Sequence, residues 1–550
     1  MPGRQPSRYH GKRRPPNQRP KAPSDTVETQ PSSLEDGGES GDLGAPEASG
    51  PLLELTISSV AYGGKGVARQ EATTEAAPGA STSAMLNEPP NELSHGTAED
   101  DTQTTGRDPA ESPAPSPQDR GGKVWFVEGA VTGDRILARV TADEGRYGEA
   151  SMVELVSPSP LRQAALCPYE RECGGCQWMG IGYDQQLEWK RGFVETALKR
   201  IGKLEAEIPV NIIPSPSRYN YRNRILLRAH WIPSDPQGDG SESAPSDTLK
   251  LGYFARGSRR LVPITRCEIA AGPINHLLQE LNSWSFPSMP LFKARLEIQE
   301  IRDLSPHDSS SAAASSPKVV VTVYPAEGPR EAMDALVARL RTLPSVAWAG
   351  LVFELSSAPL VGFDRDLDRD FFTIPGQFQQ INLDLNRILR RIVKDKVEKE
   401  NPSRILDVFC GSGNLSLPLA DGKRYVEAVE FNKKAIVCAH RHEEHNKLNN
   451  TCFIAGDAEK HLWKVARARE PFDLVILDPP RQGMYKGMVP LKILSPKHII
   501  YVSCDPITLA RDLGYLLRKD AYKIEAVTAL DFFPNTYHVE TVVFLRRGDQ

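Results

Sequence analysis

The sequence predicts a multidomain protein with a small β-barrel, a central α+β domain and a carboxyl-terminal α/β domain. Three observations lead to this prediction. Apolar and polar residues alternate near the amino terminus, helix and strand signals mix in the middle of the chain, and apolar strands alternate with helices in its last third. With 550 residues, the chain is long enough for about two to four domains.

Residues 1–50 are predicted to form a disordered tail, because they are rich in Pro, Gly, Ser and charged residues and have little to bury. The net charge of −4 is spread unevenly. Residues 1–22, 23–49, 70–119 and 233–248 together carry −13, which leaves +9 on the rest of the chain. A basic body with acidic appendages suits a phosphate backbone as partner. On charge alone, an ordinary solvated surface explains the +9 equally well.

Residues 51–158 are predicted to form a small barrel of the oligonucleotide-binding type, whose sheet offers a face to nucleic acid. The stretch LLELTISSVAYGGKGVAR from Leu52 alternates and then turns on glycines, and KVWFVEGAVTGDRILARV from Lys123 continues the pattern. The low-complexity residues between them, 70–121, are predicted to be an insertion. Such an insertion costs little, because the entropy of loop closure grows only with the logarithm of loop length.

Residues 159–370 are predicted to form an α+β domain, because helical stretches such as YDQQLEWKRGFVETALKRIG mix with basic, strand-like ones such as YRNRILLRAHW. CPYERECGGCQW contains Cys167, Cys173 and Cys176, and Cys267 is the fourth cysteine before the last domain. Four thiolates can hold either a zinc ion or an iron–sulfur cluster, and their spacing does not decide between the two.

Residues 371–550 are predicted to form a parallel sheet with helices, whose ligand crevice lies at the carboxyl ends of the strands. ILDVFCGSGNLSLPLA runs from a strand through Gly411 and Gly413 into a helix. It matches neither the dinucleotide fingerprint nor a phosphate loop, which favours an adenosyl ligand without phosphates. Glu430 and Asp457 follow the next two strands, where they suit ribose hydroxyls and an adenine amino group. Either acid alone could equally be a helix cap.

The last three motifs of the chain indicate a reactive site. LDPPRQGM places Asp478 at a fourth strand end and resembles the DPPY element of enzymes that methylate exocyclic amines, but Arg481 replaces the aromatic residue. IIYVSCDP places Cys504 at a fifth strand end, where a thiolate could add to carbon-6 of uridine and activate carbon-5. Glu540 in FFPNTYHVE could then remove the carbon-5 proton. Cys410 is the rival nucleophile, although packing under the glycine turn explains it better.

Together these motifs resemble the RNA 5-methyluridine methyltransferase family, the TrmA/RumA group of the class I S-adenosylmethionine-binding superfamily. The resemblance covers about residues 51–69 and 123–550. It is closest to the ribosomal-RNA branch of the family. It implies a TRAM-type, OB-like barrel, a central RNA-binding domain with an iron–sulfur cluster, and a Rossmann-like class I methyltransferase domain.

The resemblance also implies roles for individual residues. Cys504 matches the nucleophile of the family, and Glu540 matches its proton-removing glutamate. We expect the thiol of Cys504 either to have a lowered pKa or to lose its proton when substrate binds, because the thiolate is the nucleophile. The expected contacts of S-adenosylmethionine are Gln380, Phe409, Asn414, Glu430, Asp457 and Asp478.

By the same resemblance, a [4Fe-4S] cluster is expected on Cys167, Cys173, Cys176 and Cys267. Three of the motifs depart from the family pattern. The nucleophile motif reads SCDP instead of SCNP, the last motif reads FPNT instead of FPHT, and FQQIN is followed by LDLN instead of small residues. All three departures spare the reacting atoms and bear on the positioning of the base and on the choice of substrate.

The sequence therefore predicts S-adenosylmethionine-dependent methylation of carbon-5 of a uridine in RNA, in 23S-type ribosomal RNA, through a covalent adduct on Cys504. Two alternatives stay open, namely the same reaction on transfer RNA and a non-catalytic RNA-binding or assembly factor. No run of about 18 apolar residues and no secretory signal are evident, so we expect no membrane contact. We expect a cytoplasmic location and no obligate protein partner.

Overall fold

The structure is a computed structural model that describes residues 50–70, 122–204, 208–232, 248–284, 290–302, 318–355 and 357–548. The predicted tail and the predicted insertion lie outside these residues, except for their edge residues Gly50 and Gln70. No helix in the described part of the chain is long and apolar enough to cross a membrane.

The amino-terminal strands form a closed barrel of five strands, which confirms the predicted barrel. Its interior is filled by alternating apolar side chains such as Ile57, Trp125 and Ile136. The strands are β1 (Leu52–Val60), β2 (Gly66–Gln70), β3 (Lys123–Glu128), β4 (Arg135–Asp143) and β5 (Tyr147–Ser157). They neighbour one another in the order β1-β2-β3-β5-β4, and β4 closes the barrel by pairing with β1.

The central part of the chain mixes helices and strands. Its elements are α1 (Tyr183–Arg200), β6 (Val210–Ile213), β7 (Arg224–Ile232), β8 (Thr248–Phe254), β9 (Leu261–Pro263), α2 (Gly272–Asn282), β10 (Lys293–Ile301), β11 (Lys318–Glu327), α3 (Arg330–Leu340) and β12 (Val346–Leu351). Six of these strands form a sheet in the order β12-β11-β10-β7-β8-β9. Ile225 and Leu227 of β7 pack with α2 and α3, while Arg224 and Arg228 alternate onto the opposite face.

A two-stranded sheet leads into the last domain, which is built on an eight-stranded sheet. The remaining elements are β13 (Val361–Asp366), β14 (Arg369–Thr373), α4 (Leu383–Glu400), β15 (Arg404–Val408), β16 (Tyr425–Glu430), α5 (Lys433–His445), β17 (Thr451–Ala455), α6 (Ala458–Ala468), β18 (Leu474–Leu477), α7 (Met488–Leu494), β19 (His498–Ser503), α8 (Pro506–Leu516), β20 (Tyr522–Leu530) and β21 (Glu540–Arg547). Ile405 lies in one core and Leu406 in the other, so both faces of the sheet are covered.

The order of the strands places the ligand crevice. The sheet runs β17-β16-β15-β18-β19-β21-β20-β6, and its strands are parallel from β17 to β19. The chain moves outward from β15 to β17 and then crosses back to β18, so the direction of winding reverses between β15 and β18. Ligands of open α/β sheets bind beyond the carboxyl ends of the strands at such a switch point. The crevice therefore lies beside the glycine turn and Asp478, as the sequence predicts.

One part of this sheet differs from what the sequence indicates. β6 lies within the range predicted for the central domain, yet it pairs in parallel with β20 at the edge of the eight-stranded sheet. Helix α1 packs beside β6 and α8. The exact boundaries of the three predicted domains stay predictions.

Candidate active site

The turn after β15 brings backbone groups to the edge of the crevice. Phe409 has φ +69°, and the glycines Gly411 and Gly413 have φ +57° and +92°. A Cβ atom on Gly413 would come within 3.0 Å of the side chains of Leu417 and Phe453. The tight turn thus needs glycine at position 413, both for its left-handed backbone and for its lack of a side chain.

The carboxylate of Glu430 is held at the end of β16, directly beside this turn. Its Oε2 accepts a hydrogen bond from the Gly411 amide at 3.2 Å, and its Oε1 accepts one from the Asn432 amide at 2.8 Å. The next residue, Phe431, is 77% exposed. Sequence analysis missed Phe431, although an aromatic residue directly after the acid of the second strand is visible in YVEAVEF.

Asp457 and Gln380, two other residues predicted to contact the cofactor, accept hydrogen bonds from other residues of the protein. Asp457 accepts a hydrogen bond from the Lys460 amide at 2.8 Å and so caps α6, the alternative that the sequence left open. The carbonyl of Gln380 accepts a hydrogen bond from Asn223 Nδ2 at 3.2 Å, which ties this segment to the central sheet. The predicted cofactor roles of Asp457 and Gln380 stay predictions.

The side chain of Asn414 is bound to α4. Its Oδ1 accepts hydrogen bonds from Asn386 Nδ2 at 2.9 Å and from Arg390 Nε at 3.0 Å, and its Nδ2 donates to Asn386 Oδ1 at 2.9 Å. These contacts occupy the amide and anchor the glycine turn on the helix. A cofactor contact of Asn414, which stays a prediction, would therefore use the backbone.

Two carboxyl groups at the crevice, those of Asp407 and Asp478, have raised pKa values. Asp407 is 1% exposed, and burial together with the charge of Glu430 raises its pKa to about 7. Burial and the charges of Asp407 and Glu430 likewise raise the pKa of Asp478 to about 7. Ser416 Oγ donates to Asp407 Oδ2, while Asp407 Oδ1 is buried without a hydrogen bond among the described residues. Asp407 was not predicted as a site residue, although it is the acid in the DVFCGSGN stretch before the glycine turn.

The structure brings Cys504 and Glu540 together. Strands β19 and β21 are antiparallel neighbours, and their last paired residues are Ser503 and Thr541. Beyond this pair, Cys504 follows Ser503 and Glu540 precedes Thr541. The two residues therefore lie at the same end of the neighbouring strands, where the crevice is. Glu540 is only 3% exposed, and Cys504 is half-buried.

The thiol of Cys504 lies among acidic groups. Burial and then the charges of Glu540 and Asp478 raise its pKa to about 12, although Arg481 acts in the opposite direction. Burial and Asp478 also raise the pKa of Glu540 well above its ordinary value. A lowered pKa of Cys504, the first of the two expectations from the sequence, is therefore wrong for this structure. Deprotonation on substrate binding, the second, stays a prediction.

Helix α1 supports the loop that leads into β21 and Glu540. The ammonium group of Lys190 is fully buried, forms an ion pair with Asp531 and donates a hydrogen bond to the Phe533 carbonyl at 3.0 Å. Gln186, one turn earlier, accepts a hydrogen bond from the Asn535 amide at 2.8 Å. The edge helix α1 therefore fixes the approach of the chain to β21.

Asn535 is the residue at which the FPNT motif departs from the family pattern FPHT, and its contacts explain why Asn fits there. It is fully buried with φ +68°, a conformation that asparagine adopts more readily than most residues. Its carbonyl accepts a hydrogen bond from the Trp178 amide at 3.0 Å, and its Nδ2 donates to the Arg218 carbonyl at 2.9 Å. The loop before β21 is thus joined to the segment that directly follows Cys176.

Four cysteines from two segments of the central region converge, three from residues 167–176 and one, Cys267, from a later segment. Cys167, Cys176 and Cys267 pack around one apolar cluster, and the charge of each of the other three cysteines acts on Cys176. Asn275 fixes the later segment, because its Oδ1 accepts a hydrogen bond from the Cys267 amide at 2.9 Å. The donor set is that of a thiolate-bound metal centre.

Comparison with known proteins supports one family for the whole arrangement. The pattern of the family described as tRNA (uracil-5-)-methyltransferase matches residues 365–548, which contain Cys504 and Glu540. The 23S rRNA (uracil(1939)-C(5))-methyltransferase RlmD of Pseudomonas fluorescens is 30% identical over 433 residues, which cover 76% of this chain and 89% of that protein. The chain belongs to the RNA uracil-5-methyltransferase family. Membership in this family makes it a methyltransferase.

Two further comparisons agree with this family. An uncharacterized RNA methyltransferase of Gloeobacter violaceus is 32% identical over 445 residues, covering 78% of this chain and 92% of that protein. The crystal structure of Pyrococcus abyssi tRNA (uracil-54, C5)-methyltransferase in complex with S-adenosyl-L-homocysteine has a TM-score of 0.52 at 24% identity. It covers 76% of this chain and 95% of that one, and it shows that the two proteins share a fold.

Proposed function

We propose that this enzyme methylates carbon-5 of a uridine in ribosomal RNA through a covalent adduct on Cys504, with S-adenosylmethionine as the methyl donor. The observation that carries the proposal is the placement of Cys504 and Glu540 at one sheet edge, beside the crevice. A nucleophile and a base are the two groups that substitution at carbon-5 of uracil requires.

The crevice fits S-adenosylmethionine, which supplies an electrophilic methyl group on a positively charged sulfur. The carboxyl groups of the buried Asp407 and the half-buried Asp478 favour a cationic ligand, and Asp407 Oδ1 still lacks a hydrogen bond among the described residues. Glu430 suits the ribose hydroxyls, since each of its oxygens can accept a further hydrogen bond. The exposed ring of Phe431 lies next in sequence and suits stacking on adenine.

In the proposed reaction, the Cys504 thiolate bonds to carbon-6 of the uracil, and the electrons of the carbon-5–carbon-6 double bond become available at carbon-5. Arg481 and the amino-terminal end of α8 favour the thiolate, whereas Glu540 and Asp478 disfavour it. After carbon-5 has gained its methyl group, Glu540 takes the carbon-5 proton. The double bond then re-forms, and the bond between carbon-6 and sulfur breaks.

The central sheet suits RNA, because its basic side chains lie over aromatic rings. The guanidinium of Arg228 lies 4.4 Å from the Phe254 ring, and that of Arg224 lies 5.8 Å from the Phe378 ring. Phe378 is 64% exposed and sits in the FQQIN segment that borders the crevice. Exposed rings next to guanidinium groups recognise unstacked bases and the phosphates that link them.

Ribosomal RNA is favoured over transfer RNA by two observations. The chain resembles RlmD proteins, which are named for 23S rRNA, at 28–30% identity over most of their length. It also has the barrel and the four convergent cysteines that the sequence linked to the ribosomal-RNA branch. We propose that these cysteines hold a [4Fe-4S] cluster that shapes the RNA-binding region.

Methylation assays with separate ribosomal and transfer RNA transcripts test this proposal. We expect S-adenosylmethionine-dependent formation of 5-methyluridine, detected by nucleoside mass spectrometry, in 23S-type ribosomal RNA and none in transfer RNA. Formation of 5-methyluridine in transfer RNA alone would contradict the proposal that ribosomal RNA is the substrate. Absence of product from both, with intact binding of RNA, would favour the non-catalytic alternative.

A further inference from the structure

The turn between the first two barrel strands, residues 61–65, contacts the loop that carries Cys504. Tyr62 Oη donates a hydrogen bond to Asp505 Oδ2 at 3.2 Å, although the two residues are 443 positions apart in sequence. Gly64 allows this approach, because it has φ +82° and a Cβ atom there would come within 3.1 Å of the Tyr537 ring. The barrel therefore extends into the candidate active site.

The ring of Tyr62 is held in place by two aromatic neighbours. It packs edge-on against Phe193 of α1 at 5.8 Å and against Tyr537 at 5.7 Å between ring centroids. These contacts involve the ring and leave the hydroxyl group to Asp505. A Phe at position 62 would keep the ring contacts and remove only the hydrogen bond.

Asp505 uses its two oxygens for different contacts. Oδ1 accepts hydrogen bonds from the amides of Ile507 at 2.9 Å and Thr508 at 3.0 Å, which caps α8. Oδ2 is the acceptor for Tyr62. Where the family motif has a neutral Asn, this chain thus has a negative charge next to the nucleophile, and the barrel supplies its partner.

We propose that Tyr62 is a positioning residue, which acts through Asp505 to hold the Cys504 loop and to offset the negative charge beside the thiol. The inference rests on the proposed function, in which Cys504 is the nucleophile. The hydrogen bond from a phenol draws charge from the carboxylate and so weakens its effect on a neighbouring thiol.

Several charged or titratable groups face the thiol and set its proton affinity together. They are Glu540 on β21, Asp478 after β18, Arg481 in the loop that follows, Asp505 in the Cys504 loop and Tyr62 from the barrel. Among these groups, Asp505 accepts the hydrogen bond that Tyr62 donates from the barrel. Removing the Tyr62 hydroxyl should therefore change the thiol through Asp505 and leave the other groups as they are.

The test measures alkylation of Cys504 by iodoacetamide over a range of pH, with the modified peptide identified by mass spectrometry. For Tyr62→Phe we expect the apparent pKa of the thiol to rise by about half a unit, which lowers the rate about threefold at a fixed pH below that pKa. Asp505→Asn should shift the profile toward lower pH. In the Asp505→Asn background, Tyr62→Phe should have no further effect on the profile.

Tyr147→Phe serves as the matched control, because Tyr147 is an exposed barrel tyrosine on β5 and should leave the profile unchanged. The proposal is overturned if Tyr62→Phe leaves the profile at its wild-type position. It is also overturned if Tyr62→Phe shifts the profile equally with Asp505 and with Asn at position 505. Neither result depends on methyl transfer, so failure of the inference and failure of the proposed function are distinguishable.

Discussion

At the scale of single residues, the crevice is dominated by carboxyl groups that burial keeps close to neutral. Asp407 and Asp478 both have a pKa raised to about 7, and the pKa of Glu540 is also raised well above its ordinary value. A cation that enters the crevice favours the ionised form of these groups. The same residues should therefore affect both the stability of the free enzyme and its chemistry.

The raised pKa of Asp407 predicts a loss of stability as pH rises. Its folded-state pKa of about 7 lies above the unfolded value of about 4, so the folded protein binds the proton more tightly. The stability that this group contributes is complete below about pH 4 and is lost as pH approaches 7. We expect the Tm of Asp407→Asn to depend less steeply on pH between 5 and 8 than the wild-type Tm, as measured by calorimetry.

Asp473 provides the control for this prediction. Although burial opposes the shift, hydrogen bonds from the amides of Arg404 and Ser403 lower the pKa of Asp473. This group loses its proton well below pH 5 in both states, so Asp473→Asn should leave the slope between pH 5 and 8 unchanged. Equal slopes for wild type and Asp407→Asn would contradict the assignment of a raised pKa to Asp407.

Glu540→Gln should separate the two halves of the proposed reaction. Gln cannot take the carbon-5 proton, so turnover should fall by about 10²–10⁴-fold while addition of Cys504 to the uracil continues. We expect a covalent complex of RNA and enzyme to accumulate and to survive denaturing electrophoresis. The double variant Cys504→Ala/Glu540→Gln should form no such complex. Wild-type turnover by Glu540→Gln would rule out Glu540 as the base.

At the scale of elements, the reactive groups lie where neighbouring strands end, and helix α1 braces them from the edge of the sheet. The ion pair of Lys190 and Asp531 is fully buried and joins α1 to the loop before β21. A buried ion pair adds little net stability, but removal of one partner leaves an uncompensated charge. The contact between α1 and this loop therefore depends on the presence of both residues.

Lys190→Met should destabilise the carboxyl-terminal domain by about 3–5 kcal/mol, because Asp531 is left buried without its partner. The double variant Lys190→Met/Asp531→Leu should recover most of this loss, since an apolar pair replaces the ion pair. The free energy of unfolding in urea, followed by tryptophan fluorescence, measures both changes. If Lys190→Met is as stable as wild type, the ion pair does not stabilise the contact between α1 and the loop before β21.

Elements with a strong local pattern could be predicted from the sequence. The apolar runs before Gly411, Asp478 and Cys504 are bounded by Gly or Pro, and the structure has a strand at each of them. The addition of β6 to the sheet could not be predicted, since it has four residues and its partner strand β20 begins more than 300 positions later. The raised pKa of Cys504 also escaped prediction, because it depends on which carboxylates gather around the thiol in three dimensions.

At the scale of the whole molecule, the barrel, the central sheet and the methyltransferase domain meet around one crevice. The barrel reaches it through Tyr62, and the cysteine segment reaches it through the hydrogen bond from Trp178 to Asn535. Parts that we propose to bind RNA are thus in direct contact with the loops that carry Cys504 and Glu540. Binding of RNA and alignment of the reacting groups are physically connected.

The metal content of the purified protein tests the proposed cluster. Protein prepared without oxygen should contain about four iron atoms and about four sulfides per chain. Cys176→Ser should lose most of both, whereas Cys452→Ser, which changes a cysteine on β17, should retain them. One zinc ion per chain, with no iron, would contradict the cluster.

The covalent adduct on Cys504 is the central claim, and RNA that carries 5-fluorouridine at the target position tests it most directly. Fluorine at carbon-5 cannot leave as a proton does, so the adduct should persist once the methyl group has been transferred. We predict one RNA–enzyme complex that survives denaturation, that requires S-adenosylmethionine and whose cross-linked peptide contains Cys504. A cross-link to another residue such as Cys410, or a complex of equal yield with Cys504→Ala, would contradict the account.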